Sequence, residues 1–155
     1  NTLLMNGADP FPANKPYYDE KFRRHMGGPA PQLTKTEDGV FLTHSGFARL
    51  IGGGTVSRDW SFSDTSVVLH DRIDGHGGHT ISRSFCTPLE VHAEGAGLML
   101  KGKDVNFRIC GEAAHFAITA GKRWTAYGVS TAATFITLET RANLPWSATV
   151  KLEIV

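Results

Sequence analysis

Apolar and polar residues alternate with a period of two through much of this 155-residue chain, from Val40 to its end. In the segments 89–93, 105–109 and 150–154 every second residue is apolar. Because successive side chains of a β-strand point to opposite faces, this period predicts strands with one buried and one solvated face. Such strands are typical of antiparallel sheets.

Further strand-like segments recur at intervals of about 8–12 residues without a helical period between them, which indicates a sandwich or a barrel. They lie at 65–73, 79–85, 97–101, 115–120, 123–129 and 134–140. Turn sequences at 74–78, 94–97 and 121–122 predict three hairpins between them. We predict an all-β fold, an antiparallel β-sandwich of short strands.

Residues 1–39 have a different composition, because they contain Gly27-Gly28 and five prolines at positions 10, 12, 16, 29 and 31. We predict a loop-rich segment that packs on the sheet, with at most two turns of amphipathic helix after Asp19. Residues 40–155 are predicted to form the sandwich. A chain of this length is expected to form one domain overall.

Charge and hydropathy exclude two classes of partner. Lys and Arg number 16 against 15 Asp and Glu, a net charge of +1. Nucleic-acid binding needs a strongly basic surface, so we expect no nucleic-acid partner. The apolar runs are far shorter than the roughly 20 residues that span a bilayer, so we expect no membrane span. Cys86 and Cys110 each end a strand-like segment, which leaves both a disulfide and two free thiols open, with free thiols favoured.

Seven histidines raise the question of a metal site. His70, His76 and His79 surround the 74–78 turn, and His92 lies between two glutamates on one strand. Zinc requires three or four converging ligands, whereas a glycine-rich turn and a half-exposed strand do not preorganise them. We therefore predict no metal site and no cofactor in this chain, with these four histidines as the candidates if one exists.

Residues suited to acidic sugars lie near the predicted helix. Arg23 and Arg24 beside Tyr18 match carboxylate and sulfate groups, and Trp60 offers a face for a sugar ring. These four are the candidate substrate-binding residues; the alternatives are a solvated helix turn and ordinary Trp packing. No nucleophile elbow, His-Glu-x-x-His motif or phosphate-binding loop occurs, and we predict no catalytic residue.

Several segments carry a resemblance to a known family. Asn1 to Gly7 resembles its "His-Asn-Thr-aliphatic-x-Asp/Asn-Gly" segment without the His, 44–50 resembles "H-x-G-[YF]-x-R-L", and 67–75 resembles "V-x-D-x-[LIV]-x-G". Residues 79–85, Tyr127-Gly128 and Leu144-Pro145 match its later positions. On these segments the chain resembles the C-terminal β-sandwich of the heparinase II/III-like polysaccharide lyases.

The resemblance implies a division of labour. In that family an α/α-toroid domain precedes the sheet domain and carries most of the groups that bind a uronate and remove its C5 proton. It implies a periplasmic or secreted parent lyase that acts on acidic polysaccharide and can hold a divalent metal. The family's functional His and Asp residues would precede Asn1, so none is assigned here. We expect this chain, as an excised piece or a processed product, to be inactive alone, because elimination needs a base, a charge-stabilising group and an acid.

Two alternatives remain open from the sequence. A free-standing carbohydrate-binding module would present an exposed aromatic platform from Trp60, Trp124 or Tyr127. A His-rich metal-dependent enzyme of double-sheet type would bring distant histidines such as His70, His79 and His92 into one pocket.

Overall fold

The computed structural model describes residues 2–11, 19–112 and 115–155. Within these ranges the chain forms one helix and twelve strands, which are β1 (Thr2–Met5), α1 (Glu20–Gly27), β2 (Gln32–Lys35), β3 (Gly39–His44), β4 (Gly53–Phe62), β5 (Ser66–Gly75), β6 (Gly78–Thr87), β7 (Glu90–Glu94), β8 (Gly97–Lys101), β9 (Asn106–Gly111), β10 (His115–Ala126), β11 (Val129–Asn143) and β12 (Trp146–Ile154). The described part contains no helix with the length and apolar character needed to cross a bilayer.

The strands form two antiparallel sheets, which confirms the predicted all-β sandwich. One sheet has four strands in the order β1-β6-β11-β10, and the other has eight in the order β2-β3-β4-β5-β12-β9-β8-β7. The strands range from four residues in β1 to 15 residues in β11. Residues 1–39 contribute β1 and β2, each at the edge of a sheet, and Asp19 caps α1 by accepting a hydrogen bond from the Phe22 amide at 2.6 Å.

The core lies between the sheets and divides into two clusters. In the first, Met5, Ile73 and Ile81 from both sheets pack around Phe47. The second contains Leu69, Leu98, Leu100, Ile109, Ile136, Leu138 and Val150. Their positions follow the alternation in the sequence, because only one face of each sheet is turned inward. Burial of each large aliphatic side chain contributes about 1.5–3 kcal/mol.

The segment 74–78 does not form the predicted hairpin. It connects β5 of the eight-stranded sheet to β6 of the four-stranded sheet, so the chain crosses the sandwich there. Leu144-Pro145 makes a second crossing from β11 to β12, and the Leu144 amide donates to the Gly77 carbonyl at 2.9 Å. A glycine-rich turn permits either connection, and core packing decides which sheet the next strand joins. The 94–97 hairpin is confirmed, since Glu94 pairs with Gly97.

Gly121-Lys122 is not a turn either. Both residues lie inside β10, where Gly121 pairs with Ala133, and a Cβ at Gly121 would lie 2.7 Å from the Phe135 ring. The Phe135 ring therefore covers this glycine and would have to shift to admit a side chain. The turn of this long hairpin is Tyr127-Gly128, with Gly128 at a φ of 74°.

Candidate functional site

The four predicted sugar-binding residues differ in how fully the structure describes them. Tyr18 lies outside the described residues, and Arg23 lies in α1 with a side chain that is not among those described. Arg24 is exposed and pairs with Glu20 one helical turn away at 2.5 Å. Trp60 is half-buried, with the Arg58 guanidinium 5.6 Å from its ring centre. Their role in binding sugars stays a prediction.

The candidate histidines lie in different parts of the sandwich. His70 on β5 contacts the Thr149 hydroxyl at 3.2 Å, and His92 on β7 contacts Glu90 at 3.1 Å. Three strands separate β5 from β7, and His79 belongs to the other sheet. Across the described ranges no three metal-ligating side chains converge. The structure brings together only His76 and His79, which are joined by one hydrogen bond from ring to backbone.

A polar pocket of about 440 Å³ lies where the chain crosses between the sheets. The C-terminal ends of β1 and β11 and the start of β6 meet there because these strands pair antiparallel. Its lining is formed by Asn6, Gly78, His79, Thr80, Arg141, Ala142 and Asn143. Only His79 of this set was a candidate from the sequence.

Asn6 fixes the geometry of this pocket. Its φ is 52°, which makes it the only residue other than glycine with a positive φ in the part of the chain that the structure describes. The Asn6 amide donates to the Thr80 carbonyl at 2.8 Å, and its Oδ1 accepts from the Thr80 amide at 2.9 Å. Its Nδ2 contacts Nδ1 of His79 at 3.0 Å. Asparagine tolerates the left-handed conformation, and such conformations concentrate at functional sites.

These contacts also fix the tautomer of His79. Nδ1 accepts from the Asn6 amide group, so Nε2 carries the proton and donates to the His76 carbonyl at 3.0 Å. Both ring nitrogens are therefore engaged inside the protein. His79 orients the pocket wall and has no nitrogen left for a metal ion in this arrangement.

Arg141 supplies the charge of the pocket. It is exposed and lies opposite Thr80 in the sheet, and its side chain has no hydrogen bond or ion pair to the residues that the structure describes. Asn143 follows two positions later on the same strand face. A guanidinium and two amide groups together suit a carboxylate and neighbouring hydroxyls. The sequence could suggest only that Arg141 and Asn143 share a face, because their proximity to Asn6 arises from strand pairing.

A second polar group lies buried between the sheets. Arg58 on β4 donates to Asp71 on β5 through Nε at 2.5 Å and Nη2 at 3.1 Å, and the two residues are 8% and 0% exposed. Arg83 on β6 is 1% exposed, donates to the Glu112 carbonyl and lies 5.5 Å from the Trp146 ring centre. Burial lowers the pKa of Arg83, whose guanidinium stays a cation because arginine is the most basic side chain in proteins.

This buried group therefore contains two cations and one carboxylate. Nη1 of Arg83 is buried without a hydrogen-bond partner among the residues the structure describes. Asp71 offsets the charge of both arginines, so we interpret the group as a polar element that sets how the two sheets pack. It presents no group to the surface.

The contacts of His44 explain the sequence motif at 44–50. Its Nδ1 accepts from the Gly46 amide at 3.1 Å, and its ring packs near Phe11 and Phe47. A Cβ at Gly46 would lie 2.2 Å from the Pro10 carbonyl oxygen. The segment that begins with His44 therefore fixes a loop to the N-terminal segment, and burial followed by the charge of Arg58 lowers the pKa of His44.

The two antiparallel sheets, with connections that cross between them, define a β-sandwich. Comparison with solved structures makes this specific. The chain aligns over 100% of its length with a structure of heparinase III, at a TM-score of 0.69 and 17% identity. It aligns over 80% with heparan sulfate lyase HepC from Pedobacter heparinus, at a TM-score of 0.63 and 12% identity. The chain thus has the β-sandwich fold that these heparinase structures contain.

The same fold also occurs outside lyases. A 4-alpha-glucanotransferase from Thermococcus litoralis matches 79% of the chain at a TM-score of 0.56 and 10% identity. The chain spans only 23% of the heparinase III structure and 21% of HepC. No protein-family model matches the chain, and no curated protein matches it either. At these identities the comparisons establish the fold, and the reaction must be argued from the site.

Proposed function

We propose that this chain is the non-catalytic β-sandwich portion of a heparinase II/III-like polysaccharide lyase, and that the Asn6–Arg141 pocket forms part of its substrate-facing wall. The observation that carries this proposal is the fold match over the whole chain to heparinase III. The pocket supports it, because one exposed cation and two amides are suited to an acidic sugar.

In this proposal the sandwich binds and orients the polysaccharide. Arg141 pairs with a uronate carboxylate, and Asn143 bonds neighbouring hydroxyls, while His79 keeps Asn6 in place. Binding energy from such contacts holds the scissile bond in reactive geometry and so contributes to the rate. The base and acid of the elimination come from an α/α-toroid domain of the same parent protein, which we place in the periplasm or outside the cell.

A divalent metal in the parent would be held by other residues. The described histidines and carboxylates of this chain do not converge into a ligand set, and His79 uses both of its ring nitrogens. No step of the elimination is therefore assigned to a metal bound here.

The test compares the isolated chain with the full-length protein that contains it. We expect the isolated chain to produce no ultraviolet-absorbing unsaturated uronate from heparan sulfate, and the full-length protein to produce it. In the full-length protein, Arg141→Ala is expected to raise KM at least fivefold and Arg141→Lys to restore part of the loss. The control is Arg72→Ala, an exposed arginine on the other sheet that pairs with Asp74. Turnover by the isolated chain, or equal KM values for the Arg141 and Arg72 variants, would contradict the proposal.

A second candidate function is a free-standing carbohydrate-binding module. It is favoured by two aromatic residues that the structure leaves at the surface, Trp124 at 70% exposure and Tyr127 fully exposed. Trp60, the third ring considered, is turned towards Arg58. The sequence of the full-length gene distinguishes the two candidates. A long helical region encoded upstream of Asn1 supports the lyase, and its absence supports the module.

A further inference from the structure

The β10–β11 hairpin extends past the strand that supports it. β6 pairs with β11 from Asn143 back to Thr134, where it ends at Thr87. Residues 121–133 continue as a two-stranded arm with the Tyr127-Gly128 turn at its tip. β11 rises about 3.3 Å per residue, so the tip lies roughly 40 Å from Arg141 and the polar pocket.

The arm exposes large aromatic side chains that a packed domain normally covers. Trp124 is 70% exposed and Tyr127 is fully exposed at the tip, with Val129 beside it at 52%. Lys122 and Trp124 lie two positions apart on β10, so their side chains share one face of the arm. Large exposed apolar side chains close together in the chain are typical of a binding surface.

The charge of the arm is of one sign. Residues 121–133 include Lys122 and Arg123 and no Asp or Glu. Nε of Arg123 donates to the Thr131 hydroxyl at 3.3 Å, on the face of the arm opposite to Lys122 and Trp124. A cation on the same face as an aromatic ring, as Lys122 is, suits a ligand that has both an apolar ring face and negative charge, which is the chemistry of a uronate or sulfated sugar.

We propose that Lys122, Trp124 and Tyr127 form a second binding site, on which a segment of acidic polysaccharide stacks against the aromatic rings and pairs with the Lys122 ammonium group. The substrate class rests on the proposed function, while the site itself is separate from the pocket. The arm would hold the polysaccharide chain far from the wall where Arg141 lies, and so keep a long substrate attached.

The test measures binding of heparan sulfate to the 155-residue chain by tryptophan fluorescence and by calorimetry. We expect saturable binding with a change in the emission of Trp124, and an affinity that falls as salt is raised. Trp124→Ala should weaken binding about two- to tenfold, since one aromatic contact contributes about 0.5–1.5 kcal/mol. Trp124→Phe should retain most of it. Lys122→Gln should weaken binding and reduce its salt dependence, whereas Arg123→Gln, on the opposite face of the arm, should change both less.

Matched controls separate the arm from other surfaces. Ile51→Ala removes an apolar side chain that is 96% exposed elsewhere, and should leave binding unchanged. All these side chains are exposed, so melting temperatures should stay within the range of surface variants. Vesicles with anionic lipid serve as a competing probe, because aromatic and basic tips also bind membranes.

Each outcome decides the proposal. Equal affinity of wild type, the Trp124→Ala variant and the Lys122→Gln variant would overturn it, as would binding to vesicles without binding to heparan sulfate. No binding by the wild type would overturn it too, while the KM test of Arg141 in the full-length protein would still stand. Conversely, a failed KM test leaves arm binding intact, so the two proposals fail separately.

Discussion

Replacing Asp71 by Asn tests how the sandwich tolerates its buried charges. The substitution keeps the volume of the side chain and removes the carboxylate that pairs with Arg58 and whose charge also acts on Arg83. Arg58 is 8% exposed and Arg83 is 1% exposed, so water cannot replace the lost carboxylate fully at either cation. Breaking a buried pair from one side costs about 3–5 kcal/mol.

That cost is large relative to the stability of a domain this size. Native domains unfold with about 5–15 kcal/mol, so Asp71→Asn removes a third or more of a typical value. At about 2–4 °C per kcal/mol for chains of 150–250 residues, the melting temperature should fall by roughly 6–20 °C. Urea denaturation followed by circular dichroism gives the free energy directly.

The control lies on the same strand. Asp74 pairs with Arg72 at 2.7 Å, but both side chains are about half exposed, at 50% and 53%. Asp74→Asn should therefore cost no more than about 1 kcal/mol, because water replaces the lost contact. Equal losses for Asp71→Asn and Asp74→Asn would refute the reasoning that burial, and not the ion pair itself, makes Asp71 critical.

Three further predictions concern single residues. Burial lowers the folded-state pKa of His44 from 6.5, so the unfolded chain binds the proton first as pH falls, and the free energy of unfolding should decrease below about pH 6.5. In a series of urea denaturations at pH 5–8, His44→Gln should reduce this dependence on pH. Gly46→Ala places a Cβ 2.2 Å from the Pro10 carbonyl and should cost about 1–3 kcal/mol, whereas Gly78→Ala, whose Cβ meets only a side-chain oxygen at 3.3 Å, should cost less in the same assay. Asn6→Gly keeps the positive φ but loses the side-chain bonds, so it should destabilise by about 1–2 kcal/mol and Asn6→Ala by more, which thermal melts can compare.

Fold class was predictable because it depends on local spacing. Ile109 and Val150 are buried as their alternation with polar neighbours indicated, and both pack in the second core cluster. The same spacing does not determine which sheet each strand joins. The turn at 74–78 has the residues of a hairpin, yet Ile73 and Ile81 belong to one core cluster although they lie in opposite sheets, and this packing carries the chain across the sandwich.

The candidate site was less predictable from the sequence than the fold. The sequence indicated His79 because of its residue type, and its surroundings gave no hint that Asn6 and Arg141 would lie beside it. Asn6 is 73 positions away from His79, and only the pairing of β1 with β6 brings them to hydrogen-bond distance. The exposed aromatic rings of the arm were visible as residue types, but exposure depends on β6 ending at Thr87 while β10 and β11 continue.

The sequence alone determined that this chain forms strands with one apolar face and that these faces pack into an all-β fold. It could do so because the alternation of apolar and polar residues and the chemistry of turns act between neighbours along the chain. The tertiary structure decided which strands share a sheet, that Asp71 offsets two arginines, and that Asn6, His79 and Arg141 surround one pocket. These facts depend on contacts between residues far apart in sequence, and their free energy exists only once both sheets have packed.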